Sequence, residues 1–106
     1  HLTYYGQSMA MKLPKCEIYP ERTNKENEKW NLCGSLCTIN DILVKQFPVG
    51  NIQIGDVFIF ENTGAYCMTE GISLFLSREL PAVIKIDENK NINLIRENIP
   101  TYLLNM

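Results

Sequence analysis

Short apolar runs, broken by turn residues at intervals of about ten positions, are the feature that most limits what this chain can fold into. The runs are Cys16–Tyr19, Trp30–Leu36, Asp41–Gln46, Asp56–Glu61, Ala82–Ile86 and Asn91–Arg96, with Gly50-Asn51 and Gly55-Asp56 as turns between them. This spacing predicts a mainly β domain, a Greek-key-like barrel or sandwich. The last two runs show partial alternation, Ile84/Ile86 and Ile92/Leu94, on either side of Asp87-Glu88-Asn89-Lys90. That pattern predicts a hairpin.

One segment departs from the β pattern. Ile72, Phe75 and Leu76 recur at helical spacing between Thr69 and Glu79, and Pro81 stops any continuation, which predicts one short amphipathic helix over about 69–79. Pro100–Leu104 is expected to form a helical turn. The stretch "PERTNKENEK" from Pro20 to Lys29 is charged and nearly free of apolar residues, and it reads as a solvated loop. The 106 residues, 45% of them hydrophobic, suffice for one domain with one modest core.

Charge narrows the function classes. Ten basic and 12 acidic residues give a net charge of −2, too little positive field to hold nucleic acid or an anionic membrane. No stretch approaches the about 20 apolar residues of a membrane-spanning helix, so a cytoplasmic protein is expected. The chain opens at His1 in an apolar, aromatic segment that contains Tyr4, Tyr5 and, further on, Met9. It reads as the later part of a longer protein.

Four cysteines, Cys16, Cys33, Cys37 and Cys67, are expected as free thiols, because a core of this size does not depend on a disulfide framework. No metal site is expected: Cys33 and Cys37 have no second Cys or His pair to complete a tetrahedral set, and His1 is the only histidine.

Two corners carry residue types suited to chemistry. In "CGSLCTIND" a strand ends at Gly34-Ser35 and is followed by Cys37, Thr38 and Asp41. Cys37 either packs as a small hydrophobe or presents its thiol to a cleft, and Asp41 reads as a turn or ladder-end residue. In "GAYCMTE", Gly64 and Ala65 permit close backbone approach beside Tyr66. That tyrosine is either a buried plug with a bonded hydroxyl or a donor to a phosphate oxygen. Glu70, near the expected helix start, complements its dipole.

Together the segments "HLTYYGQSMAMKLP", "CGSLCTINDILV" and "IQIGDVFIFENTGAYCMTEGISLFLSRELPAVI" resemble the C-terminal β domain of the pyridoxal-phosphate-dependent decarboxylases acting on diaminopimelate, ornithine and arginine, most of all the diaminopimelate decarboxylases. The resemblance covers nearly the whole chain. It implies a homodimer of two-domain subunits, in which residues 1–106 form the C-terminal domain. An N-terminal β/α barrel outside this chain would then carry pyridoxal 5'-phosphate on a lysine. None of Lys12, Lys15, Lys45 and Lys85 is assigned that role, and the fragment alone is expected to be inactive.

The resemblance also assigns roles. Tyr66 would contact the cofactor phosphate in its own subunit, a charge-assisted bond. Cys37 would reach across the dimer into the neighbouring site. Loss of CO2 from a cofactor-bound amino acid leaves a carbanion that an acid must protonate, and an ordinary thiol keeps its proton at neutral pH. Arg78, in the Ser77-Arg78 step, is read as structural.

Many diaminopimelate decarboxylases have an acidic residue after the cysteine to recognise the distal amino group, whereas Thr38 stands here. Thr38, Glu70 and Asp41 are therefore the candidates for substrate binding. Three functions follow: conversion of meso-diaminopimelate to L-lysine and CO2; decarboxylation of ornithine, arginine, carboxynorspermidine or a specialised amino acid; or, from another class, a non-catalytic β domain for binding or oligomerisation.

Overall fold

The structure, a computed structural model, describes residues 15–21, 28–39, 41–64 and 66–105. Tyr4, Tyr5 and Met9 lie outside these residues, as do positions 22–27 of the expected charged loop. The described chain divides into two compact units, one up to Gly71 and one from Ile72.

The first unit holds four strands, β1 (Cys16–Tyr19), β2 (Lys29–Cys33), β3 (Ile42–Pro48) and β4 (Val57–Phe60), followed by one helical turn, α1 (Tyr66–Thr69). β1 pairs antiparallel with β4, Cys16 opposite Phe60 and Ile18 opposite Phe58. Alternation along both strands places these four side chains on the more buried face, and the rings of Phe58 and Phe60 stack with centroids 6.4 Å apart. Such cross-strand pairs contribute roughly 0.2–1 kcal/mol each. One end of the sheet is tied by an ion pair between Lys15 Nζ and Glu61 Oε1 at 2.7 Å, and by the Glu61 N–H donating to the Lys15 carbonyl at 2.9 Å.

β2 pairs antiparallel with β3, but irregularly. Trp30 faces Phe47 while Leu32 faces Val44, so β3 carries one residue more than β2 over this stretch. Gln46 takes up the extra length with φ 55 and donates its N–H to Asn31 Oδ1 at 3.0 Å, a β-bulge whose freed amide is satisfied by a side chain. Val44 and Val49, 4% and 3% exposed, are the buried hydrophobic residues. The turn into β4 uses Gly55 at φ 98, and the Asp56 carboxylate accepts from the Gln53 N–H at 2.8 Å.

The second unit contains a 3₁₀ turn (Phe75–Ser77), β5 (Val83–Ile86), β6 (Ile92–Arg96) and a 3₁₀ segment (Thr101–Asn105). β5 and β6 form the expected hairpin, with Ile84 opposite Leu94 and Ile86 opposite Ile92. Its turn is built by Asp87, whose carboxylate accepts from the N–H groups of Asn89 and Asn91 and from Asn91 Nδ2, each at 2.9 Å. Arg96 Nη2 donates to the Pro81 carbonyl at 2.9 Å. The helical turn expected at Pro100–Leu104 is present as the 3₁₀ segment, anchored by the fully buried Thr101.

Among the described residues the fold is mainly β with one short α-helix, as the sequence predicts, but the helix sits earlier than expected. α1 covers Tyr66–Thr69, and the 69–79 segment contains only the 3₁₀ turn. Gly71 interrupts the span, and Leu76 and Ser77 adopt φ 62 and 51, a left-handed conformation that a right-handed helix cannot contain. β2 ends at Cys33 rather than Leu36, because Gly34 begins a bent connection. β3 runs on to Pro48, where a strand end tolerates the missing N–H. The described strands pair as three two-stranded sheets, and no closed barrel forms among them.

Candidate functional site

The first corner is the connection between β2 and β3. Cys33 pairs with Ile42, so residues 34–41 span two hydrogen-bonded strand ends. The Gly34 N–H donates to the Asp41 carbonyl at 2.8 Å and closes the base. Inside it, the Asp41 carboxylate accepts from the Leu36 N–H at 2.8 Å. The Asp41 N–H donates to the Thr38 carbonyl at 3.2 Å, and the Thr38 N–H donates to the Leu36 carbonyl at 2.9 Å.

Asp41 is only 8% exposed, and its bond to Leu36 offsets the cost of burying a carboxylate. Gly34 makes the arrangement sterically feasible: a Cβ at that position would overlap the Asp41 carboxylate. Sequence reasoning left Asp41 open between turn residue and substrate ligand, and the structure shows it engaged with the loop. The visible signal was the glycine before the Cys37 corner, whose need for space appears only when Asp41 is placed against it.

Cys37 stands midway round this loop with an exposed, free thiol. It is not a packed hydrophobe. Cys33, expected to pack within its strand, is also exposed, because only Leu32 of β2 is turned inward; its thiol donates to the Asn31 carbonyl at 3.9 Å. Thr38 is half-buried, and the neighbouring Ile39 is 88% exposed. Cys16 contrasts with these thiols: burial, with the Glu17 charge adding to it, pushes its pKa up to about 11, which suppresses the thiolate.

The second corner is α1. The Cys67 N–H donates to the Gly64 carbonyl at 3.2 Å and the Glu70 N–H to the Tyr66 carbonyl at 3.0 Å. Tyr66 is 72% exposed and its phenol has no hydrogen-bond partner among the described residues, so it is not a buried plug. Its hydroxyl is free to donate to an anion. A Cβ added at Gly64 would meet nothing within 4 Å, so the close approach expected beside Tyr66 is not made by the described chain.

Glu70 follows the C-terminal end of α1 rather than preceding a helix, so it does not complement a helix start. The expectation assumed a helix beginning at Thr69. Neither Tyr66 nor Glu70 bonds to the Cys37 loop among the described residues. A groove of about 440 Å³ lined by Cys16, Ile18, Tyr19, Phe47, Val49 and Ile59 contains none of the site candidates. Among the described residues no three His, Cys, Asp or Glu side chains gather as metal ligands, and no helix is long and apolar enough to cross a membrane.

The sequence profile of the pyridoxal-dependent decarboxylase C-terminal sheet domain matches residues 4–64. The chain belongs to this family. Cys37, Thr38 and Asp41 fall inside the matched span of the decarboxylase domain, and Tyr66 and Glu70 lie just beyond it. Two relatives bear the same stamp. The chain is 34% identical over 97 residues to an L-glutamyl-[BtrI acyl-carrier protein] decarboxylase of Niallia circulans, covering 89% of this chain and 22% of that protein. It is 30% identical over 70 residues to a 2-[(L-alanin-3-ylcarbamoyl)methyl]-2-hydroxybutanedioate decarboxylase of Staphylococcus aureus (strain NCTC 8325 / PS 47), covering 66% of this chain and 18% of that one. The decarboxylase domain described here thus spans about a fifth of the length of these relatives. No solved structure matches it at comparable significance.

The family is pyridoxal-dependent, and one residue of this chain fits that cofactor on its own geometry. Tyr66 offers an uncommitted, exposed phenol on a short helical turn, the donor type that an anionic phosphate accepts.

Proposed function

We propose that this chain is the C-terminal domain of a two-domain, pyridoxal-phosphate-dependent amino-acid decarboxylase, and that meso-diaminopimelate, converted to L-lysine and CO2, is the substrate its family resemblance implies. The carrying observation is the profile match over residues 4–64, which encloses a loop holding an exposed thiol at Cys37. The intact protein pairs this domain with an N-terminal β/α barrel bearing the cofactor lysine. It acts as a cytoplasmic homodimer, and this domain is of the Greek-key-like barrel or sandwich type.

Pyridoxal phosphate, held in part by Tyr66, would supply an electron sink for decarboxylation. The residues of this chain do the rest of their work around it. Tyr66 binds the phosphate through its phenol and fixes one end of the cofactor. Cys37, presented by its loop to the partner subunit's site, holds a proton on Sγ and delivers it to the substrate α-carbon. Thr38, next to Cys37, offers a hydroxyl rather than a charge to the distal end of the substrate, and Glu70 is a carboxylate available to a distal ammonium group.

A second reading is favoured by two observations. Thr38 replaces the acidic residue of many diaminopimelate decarboxylases, and the substrates named for both relatives carry the amino acid joined to a larger group. The specialised substrate class therefore stands beside diaminopimelate. CO2 release by the intact parent, loaded with pyridoxal phosphate, is measured on meso-diaminopimelate, ornithine, arginine and carboxynorspermidine. Preference for diaminopimelate supports the first reading. Preference for another amine makes Thr38 part of a changed pocket. Absence of release from all four, with cofactor bound, overturns the diaminopimelate assignment and directs the search to conjugated amino acids.

A further inference from the structure

We infer that Asp41 is the positioning residue for Cys37: from one buried side chain and its own backbone it holds the residues on both sides of the thiol while leaving the thiol itself free. The inference deepens the proposed function and rests on Cys37 as its proton donor.

The geometry places Asp41 at the centre of the loop. Its carboxylate takes the N–H of Leu36, the residue before Cys37, at 2.8 Å. Its N–H reaches the carbonyl of Thr38, the residue after Cys37, at 3.2 Å, and its carbonyl takes the Gly34 N–H at 2.8 Å. Leu36 and Thr38 are further joined by their own backbone bond at 2.9 Å. Three positions around Cys37 are thus referred to one residue. That residue is buried at 8% exposure, whereas Cys37 is exposed with its Sγ uncommitted.

A proton donor has to be held close to its productive position, and a displacement of about 1 Å can cost roughly a hundredfold in rate. A loop crossing between two strands would not supply such precision unaided. Gly34 belongs to the same device, since any larger residue would drive the carboxylate out of its place. Asp41 is correspondingly unsuited to the substrate-binding role considered from sequence. It is buried, and its carboxylate is engaged by Leu36.

The test uses the intact parent loaded with pyridoxal phosphate, assayed with the one of the four amino acids above that it decarboxylates best. Cys37→Ala, Asp41→Ala, Asp41→Asn and the Cys37→Ala/Asp41→Ala double variant are compared. Asp41→Ala is expected to lower kcat by about tenfold to a hundredfold with KM within about twofold. Asp41→Asn keeps an acceptor oxygen for Leu36 and is expected to stay within about threefold of the parent. In the Cys37→Ala background, Asp41→Ala is expected to cost nothing further, because both act through one group.

Hydrogen–deuterium exchange supplies a readout independent of activity: the Leu36 amide should exchange about tenfold faster in Asp41→Ala than in the parent. An unchanged Leu36 amide overturns the brace. An equal kcat loss with or without Cys37, a rise in KM at constant kcat, or an Asp41→Asn enzyme as slow as Asp41→Ala overturns the positioning role. If Asp41→Ala does not fold, Asp41→Ser takes its place: it keeps a polar atom in the buried position but is too short to take the Leu36 N–H, so the same kcat loss and faster Leu36 exchange are expected, and parent-like values of both overturn the inference. Full kcat in Cys37→Ala is a separate failure, of the proton-donor reading itself, and removes the catalytic part of the inference while exchange still reports on the brace.

Discussion

The Cys37 loop and the Tyr66 corner present functional side chains in opposite ways. In the loop, a buried carboxylate organises the backbone and a glycine leaves room for it, so the thiol is exposed on a constrained frame. At the corner, one helical turn carries an exposed phenol, and a Cβ added at Gly64 would meet nothing within 4 Å among the described residues. The loop brings its own support; the corner has none among the described residues. The difference matches the proposed roles, since delivering a proton to a carbon demands closer placement than donating a hydrogen bond to one oxygen of a phosphate.

Substituting the two glycines breaks the comparison most strongly. Gly34→Ala forces a Cβ onto the Asp41 carboxylate and strands the Leu36 amide, a loss of about 3 kcal/mol, to be read from the guanidinium midpoint of the chain. The thiols sharpen the contrast next. Alkylation by iodoacetamide near pH 8, followed by peptide mass spectrometry, should label Cys37 about tenfold or more faster than Cys16, whose burial suppresses its thiolate. Equal rates would mean that Cys16 is not buried as described.

The β5–β6 turn offers a half-buried counterpart to Asp41. Asp87 also gathers backbone amides, and its pKa is lowered, first by the Asn91 side-chain bond and then by the backbone bonds from Asn91 and Asn89. A depressed folded value means that its contribution is full above the ordinary aspartate value of about 3.9 and is lost as pH falls through the folded value. The Asn89 and Asn91 amide signals should therefore shift together below about pH 3.9, and in Asp87→Ala they should not. The smallest effects belong to the open corner. Gly64→Ala and Tyr66→Phe should each change the unfolding free energy by no more than about 0.5 kcal/mol, and a larger loss would show that Tyr66 is packed.

What the sequence made legible was the part governed by local pattern. Five of the strand runs fall within two residues of the observed strands at both ends, and Asp87–Lys90 is a hairpin turn, because alternation and turn residues act over a few neighbours. The helix was misplaced because the spacing of Ile72, Phe75 and Leu76 says nothing of the left-handed backbone at Leu76 and Ser77. Cys37 and Tyr66 stood out in the sequence as residue types suited to chemistry, and the structure shows both exposed. Asp41 acts through contacts with Gly34 and Leu36 that exist only once the loop folds, so its place in the loop was not legible.

The central claim is that Cys37 supplies the proton in a pyridoxal-dependent decarboxylation, and the most direct test is the turnover of Cys37→Ala in the intact, cofactor-loaded parent. Rate and bound pyridoxal phosphate are measured together on the best substrate. The account predicts a kcat lowered by about a hundredfold or more, the scale of a lost general acid, with cofactor content unchanged. Full kcat at unchanged cofactor content would contradict it.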